Sequence, residues 1–155
     1  MKKFFSFGLA VTCLYFLSVF IRAELEEQKA EKCIVQILTE VSSPWDASLV
    51  RKNGSEWLIH RAPLSPEKFA ELAANDLGSL REIIKKPTCK FQAGYERGDS
   101  DKKIWAVCNV TGRFEKKTAT LKIRLIAEPT PPPSFFGHLG NSLKLNDFMD
   151  IEIKQ

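Results

Sequence analysis

Four cysteines and two histidines are the residues of this 155-residue chain best suited to nucleophilic, redox or metal chemistry. Cys13 falls in an apolar N-terminal stretch, which leaves Cys33, Cys89 and Cys108 for a folded domain, with His60 and His138 as the only imidazoles. No P-loop, GxGxxG, GxSxG, HExxH or CxxC motif is present. A Cys33 nucleophile served by His60 or His138 would need a base within hydrogen-bond reach and surroundings that favour the thiolate. Spacing supplies neither. Asp147 and Asp150 read as a solvated acidic turn rather than an acid/base pair, and no ligand cluster supports a metal. The chain is therefore read as noncatalytic with no cofactor, a small secreted enzyme acting through Cys33 or a histidine being the competing class.

Register selects the disulfide. Cys89, Phe91, Ala93 and Tyr95 alternate with polar residues, and Ile104, Ala106 and Cys108 do the same on the return run. If Gly98-Asp99 is a two-residue hairpin turn, directly opposed residues have numbers that sum to 197. Cys89 then faces Cys108, Phe91 faces Ala106 and Ala93 faces Ile104, with the apolar residues of both strands on one side. Glu96 opposite Asp101 is the one unfavourable pair. Cys33 remains free and reads as a small buried apolar residue.

The other face of the same strands carries the candidate binding residues. Lys90, Lys103, Trp105, Lys122 and Arg124 all point away from the expected core. Tryptophan and arginine among cations is the composition of a contact surface. The alternative is that the second helical segment covers Trp105 and makes it core. Arg97-Gly98-Asp99 resembles the integrin-recognition tripeptide at a hairpin tip, which gives adhesion as a further reading, although turn chemistry alone would select Gly-Asp there. Asn53-Gly54-Ser55 and Asn109-Val110-Thr111 match the glycosylation acceptor pattern, Asn53 in a turn being sterically easier than Asn109 in a strand.

Several elements must position these residues. Ala30, Cys33, Ile34, Ile37, Leu38 and Val41 form one helical stripe, so a helix is expected there in preference to a strand, ending at Ser42-Ser43-Pro44. Asn53-Gly54 between two β-type runs predicts a hairpin over 47–60, with Arg51 opposite Glu56 and Val50 opposite Trp57. Ser65-Pro66 starts a helix; Gly78 and a Ser79 to Glu82 capping box imply either a bend or a second short helix before Pro87. From Thr88 to Ala127 the period is two, and Ala119, Leu121, Ile123 and Leu125 share a face opposite Thr120, Lys122 and Arg124. Pro129 to Pro133 reads as a polyproline connection, Phe135 to Gly140 as an aromatic and glycine loop, and a last strand is expected near the C-terminus.

Met1-Lys2-Lys3, an uncharged stretch from Phe4 to Ile21, and Ala23 before an acidic run have the form of a secretory signal. Cleavage near Glu24 gives a signal peptide at 1–23 and a single exported domain at 24–155; an uncleaved anchor is the alternative, and only that would bring a membrane into play. Loss of Lys2, Lys3 and Arg22 leaves 20 cations against 19 acids, so overall basicity points to no nucleic acid. The charge is unevenly placed: residues 81–124 hold 12 basic and 5 acidic groups. Together these readings give an α+β domain: one or two helices packed on an antiparallel meander of about five or six strands. Its expected role is noncatalytic binding, as an inhibitor, immunity-type protein or adaptor in a secreted or periplasmic setting. The partner is another protein or an anionic macromolecule outside the cytoplasm.

Overall fold

The computed structural model describes residues 2–95, 102–127 and 143–154. Helix α1 spans Lys2–Val41 and carries the expected stripe. Ala30, Ile34, Ile37, Leu38 and Val41 are buried, with Cys33 half-buried beside them. The β-branched residues Val35 and Thr39 do not convert it to a strand, because both lie off the buried stripe, where propensity is a weak term against the packing of a whole face. Ser42 takes over at the end: its backbone N–H and its hydroxyl both donate to Leu38 O, and the Ser43-Pro44 peptide that follows is cis.

Residues 47–60 do not form the expected hairpin. They form two short helices, α2 (Ala47–Asn53) and α3 (Glu56–His60). Capping overrides the strand propensity of Trp57-Leu58-Ile59. The Asp46 carboxylate accepts from Ser48 N, and the Ser55 hydroxyl accepts from Leu58 N. Gly54 sits between them in extended conformation, φ −76°, so it serves no left-handed turn. It allows close approach instead, since a Cβ there would lie 2.9 Å from Val50 O.

Helix α4 (Pro66–Asp76) begins as the sequence indicates, with Ser65 accepting from Lys68 N and proline in the first turn. It ends at Leu77, and Gly78 adopts a φ of +71°. That left-handed residue turns the chain into strand β1 (Leu80–Ile83), where a bent or second helix had been expected. Glu115 reinforces the turn, accepting from Ser79 N and pairing with Arg81.

Strands β2 (Thr88–Tyr95), β3 (Lys102–Phe114), β4 (Thr118–Ala127) and β5 (Leu143–Lys154) complete one antiparallel sheet in the order β1-β3-β4-β5. β1 and β2 share one edge of β3, β1 against Gly112–Phe114 and β2 against Lys102–Asn109. The β2–β3 register is the one read from the cysteines: Cys89 pairs with Cys108, Phe91 with Ala106 and Ala93 with Ile104. Cys89 and Cys108 form an intramolecular disulfide, and Cys33 is a free thiol.

Two irregularities set the faces of β5. Leu125 pairs with Leu145, Arg124 with Asp147, Ile123 with Phe148, Lys122 with Asp150 and Leu121 with Ile151. Asn146 and Met149 are thus extra residues, the signature of β-bulges. The bulges put Phe148 on the core face together with Leu145, whereas Ile151, across from Leu121, is exposed, and Asp147 and Asp150 lie within a strand rather than in an acidic turn.

The core lies between this face and the helices. Trp45 anchors it, with ring centroids 5.6 Å from Phe69, 6.3 Å from Phe114 and 6.4 Å from Phe148. Its indole N–H donates to Gly78 O at 2.9 Å, so the buried ring keeps its polar atom satisfied. Ser55 and Asn146 tie α3 to β5 through a buried hydrogen bond of 2.8 Å. The architecture is α+β. The polyproline connection, the aromatic and glycine loop with His138, and Arg97-Gly98-Asp99 lie outside the described residues.

Candidate binding face on the outer side of the sheet

Alternation along β3 sends Ala106, Cys108 and Val110 into the core and Trp105, Val107, Asn109 and Thr111 to the opposite side. Pairing then lays this outer face out in rows. Trp105 stands between Gln92 and Ile126; Val107 between Lys90 and Arg124; Asn109 between Thr88 and Lys122. Lys103 is paired with Gly94 at the end nearest Trp105. All five candidate binding residues therefore share one face.

They are not equally available. Lys90 and Lys122 are exposed, whereas Lys103 and Arg124 are half-buried. Trp105 is only 7% exposed, Val107 6% and Ile126 2%, yet none of the three belongs to the core cluster that the helices cover. The outer face has a small apolar centre of its own.

Trp105 and Arg124 are the pair the fold brings into contact. The guanidinium carbon lies 5.0 Å from the indole centroid, a cation–π arrangement. On the other flank the ring leans over Gly94, where a Cβ would approach Trp105 Cζ3 to 2.9 Å. Glycine inside a strand marks such close approaches, and this was the available sequence signal for where the ring lies. Trp105 Nε1 and Arg124 Nε are buried and have no hydrogen-bond partner among the described residues. A buried donor left unpaired costs about 1–3 kcal/mol. Both donors lie on the same outer face, on neighbouring side chains.

The electrostatics are more mixed than the cations alone suggest. The bulges of β5 set Asp147 across from Arg124 and Asp150 across from Lys122 in register. Alternation along β3 and β4 alone does not reveal these acidic positions.

The competing residues are placed differently. The Cys33 thiol is half-buried on α1, with Sγ 3.8 Å from Leu143 O as its acceptor. Burial pushes the Cys33 thiol up from its ordinary value, while the positive charge of Lys144 pulls more weakly the other way. Its surroundings therefore hold it protonated, the reverse of what activates a nucleophile. His60 is exposed at the end of α3 with its Nε2 3.4 Å from Glu56. Among the described residues no group of three or more His, Cys, Asp and Glu side chains could hold a metal ion.

No protein-family model, curated protein or solved structure matches this chain. The internal disulfide points to a location outside the cytoplasm, where thiols are not kept reduced.

Proposed function

We propose that this chain is an exported, noncatalytic binding protein of an extracellular or periplasmic space, which engages an anionic macromolecular partner through the outer face of its sheet. The observation that carries this reading is the Trp105–Arg124 cation–π pair, whose Trp105 Nε1 and Arg124 Nε have no hydrogen-bond partner among the described residues. The cations at Lys90, Lys103 and Lys122 share the face with it. An inhibitor, immunity-type or adaptor role fits such a surface.

Division of labour follows from exposure. Lys90 and Lys122 are free to steer an approaching anion, because exposed charges act mainly on encounter rate. Trp105, nearly enclosed, is a platform: it holds the guanidinium of Arg124 in place, so that a carboxylate or other acceptor arriving at Arg124 meets a preorganised donor.

Capture of the partner by the immobilised full chain, from the compartment into which the chain is exported, tests this directly. The Lys90→Glu/Lys122→Glu variant should lose most of the captured partner while melting like the unmodified chain. Equal capture by both would remove the outer face from the account. A folded Cys33→Ala or His60→Ala variant that binds the partner yet loses biological activity would put the enzyme reading first.

A further inference from the structure

Two acceptor sequons occur in the chain, and the fold treats them in opposite ways. Asn53 closes α2, half-buried, and its side-chain amide donates to Glu40 Oε2 at 3.3 Å and to Leu49 O at 3.0 Å. Ser55, the third residue of that sequon, is fully buried. Its hydroxyl is committed, accepting from Leu58 N and donating to Asn146 Oδ1. An oligosaccharide on Asn53 Nδ2 would replace an amide hydrogen that the fold uses, next to a residue with no exposed surface.

The Asn109 amide has neither of these hydrogen bonds, and Thr111, the third residue of its sequon, is half-buried rather than enclosed, with its hydroxyl 3.0 Å from Thr120 Oγ1. It lies on the outer face of β3, is exposed, and makes no side-chain hydrogen bond to a described residue. Its lateral neighbours in the ladder, Thr88 and Lys122, are exposed as well, so a bulky group at Nδ2 would project into solvent without displacing a packed side chain. Asn109 is also a polar residue in the middle of a long central strand, a position that β-branched and aromatic residues usually take.

We propose that Asn109, and not Asn53, is the N-glycan acceptor of this chain, an inference that rests on the reading of the protein as exported. In the transfer step Asn109 Nδ2 forms a bond to the anomeric carbon of a lipid-pyrophosphate-linked oligosaccharide. The bond from that carbon to the pyrophosphate oxygen breaks, the lipid pyrophosphate leaves, and the amide nitrogen gives up one proton. A membrane-bound transferase of the secretory pathway supplies this chemistry before β3 is enclosed between β2 and β4, and a chain with its glycan on Asn109 can then close the fold, whereas one modified at Asn53 would lose the hydrogen bonds of that side chain. The consequence for binding is a smaller footprint: a glycan in the Asn109 row stands beside Lys122 and leaves the end bearing Trp105, Lys90 and Arg124 open.

The test is expression of the full chain in a eukaryotic secretory host, in two versions. One relies on the chain's own N-terminus, and the other carries an established cleavable export signal ahead of residue 2. Whole-cell and medium fractions are both analysed by intact mass and peptide mapping, before and after an amidase that removes N-glycans and converts the acceptor to aspartate. The expected result is one glycan, with the aspartate at position 109. It should be lost in Asn109→Gln and in Thr111→Ala and kept in Asn53→Gln. A chain delivered by the added signal that emerges without a glycan, or with its glycan on Asn53, overturns the proposal. A chain glycosylated at Asn109 only when the added signal is present leaves the acceptor assignment standing and defeats the export reading instead.

Discussion

Removing the Cys89–Cys108 bond should destabilise the fold by about 3 kcal/mol. The two residues are 19 positions apart, so the bond closes a loop of roughly twenty residues. In the chain-entropy treatment that loop removes about 11 cal/mol/K from the unfolded state, or about 3 kcal/mol at 25 °C. For a domain of this size the loss corresponds to a fall in melting temperature of roughly 10 °C. Alanine is the right replacement. Cys89 is 3% exposed and Cys108 is fully buried, and serine would add buried hydroxyls with a cost of their own. Thermal unfolding of Cys89→Ala/Cys108→Ala against the oxidised chain, followed by circular dichroism, reads the effect. Nonreducing peptide mapping of the unmodified chain should give the Cys89–Cys108 peptide as its main disulfide. A shift below about 2 °C would mean that the bond does not constrain the unfolded chain as the loop argument requires. A main disulfide containing Cys33 would refute the register itself.

Three further outcomes follow from individual contacts. Gly94→Val should destabilise the fold by about 1–3 kcal/mol and shift Trp105 fluorescence, because the new side chain enters the space of the indole ring; an unchanged spectrum and melting temperature would show that the ring does not lie there. The Asp46 carboxyl is held below its ordinary value by the hydrogen bonds it accepts from Ser48, first by the side chain and then by the backbone N–H. A carboxyl depressed in the folded state adds stability above its unfolded value and loses it as pH falls through the folded one, so Asp46→Asn should keep the cap and flatten the acid limb of the stability profile. Cys33, raised by burial, has the opposite sign: its contribution is intact below the ordinary thiol value and is lost as pH rises beyond it. Alkylation of folded Cys33 should be slower than that of an exposed thiol at the same pH, and a fast reaction would contradict the buried placement.

The strand meander was legible because alternation and cysteine register constrain the same faces independently. A slip of one residue would have turned Phe91 and Cys89 outward, so the 197 register had little freedom. Ser65-Pro66 was legible for a similar reason, cap and first-turn proline agreeing on one helix start. The failure at Asn53-Gly54 came from reading a dipeptide without its flanks. Asp46 and Ser55 each offer a side-chain acceptor to an N–H two or three residues on, and these local bonds outweigh the β propensity of the residues between. Gly78 was recognised as a break, yet whether a helix or a strand follows depends on the pairing of β1 with Gly112–Phe114, which is a long-range fact. The outer face was visible as a set of residues. Its acidic positions were not, because they depend on the two bulges of β5, where Asn146 and Met149 reset the alternation.

The proposed binding role requires that the cations of the outer face steer a partner. The decisive measurement is the association rate of the captured partner with the full chain as a function of ionic strength, compared with Lys90→Glu/Lys122→Glu. Both lysines are exposed, so the variant should fold normally and change only the field on that face. The expected result is association slowed by about tenfold at low salt, a shallower dependence on ionic strength, and a dissociation rate altered much less. Identical association rates and identical salt dependence for the two proteins would contradict the central claim.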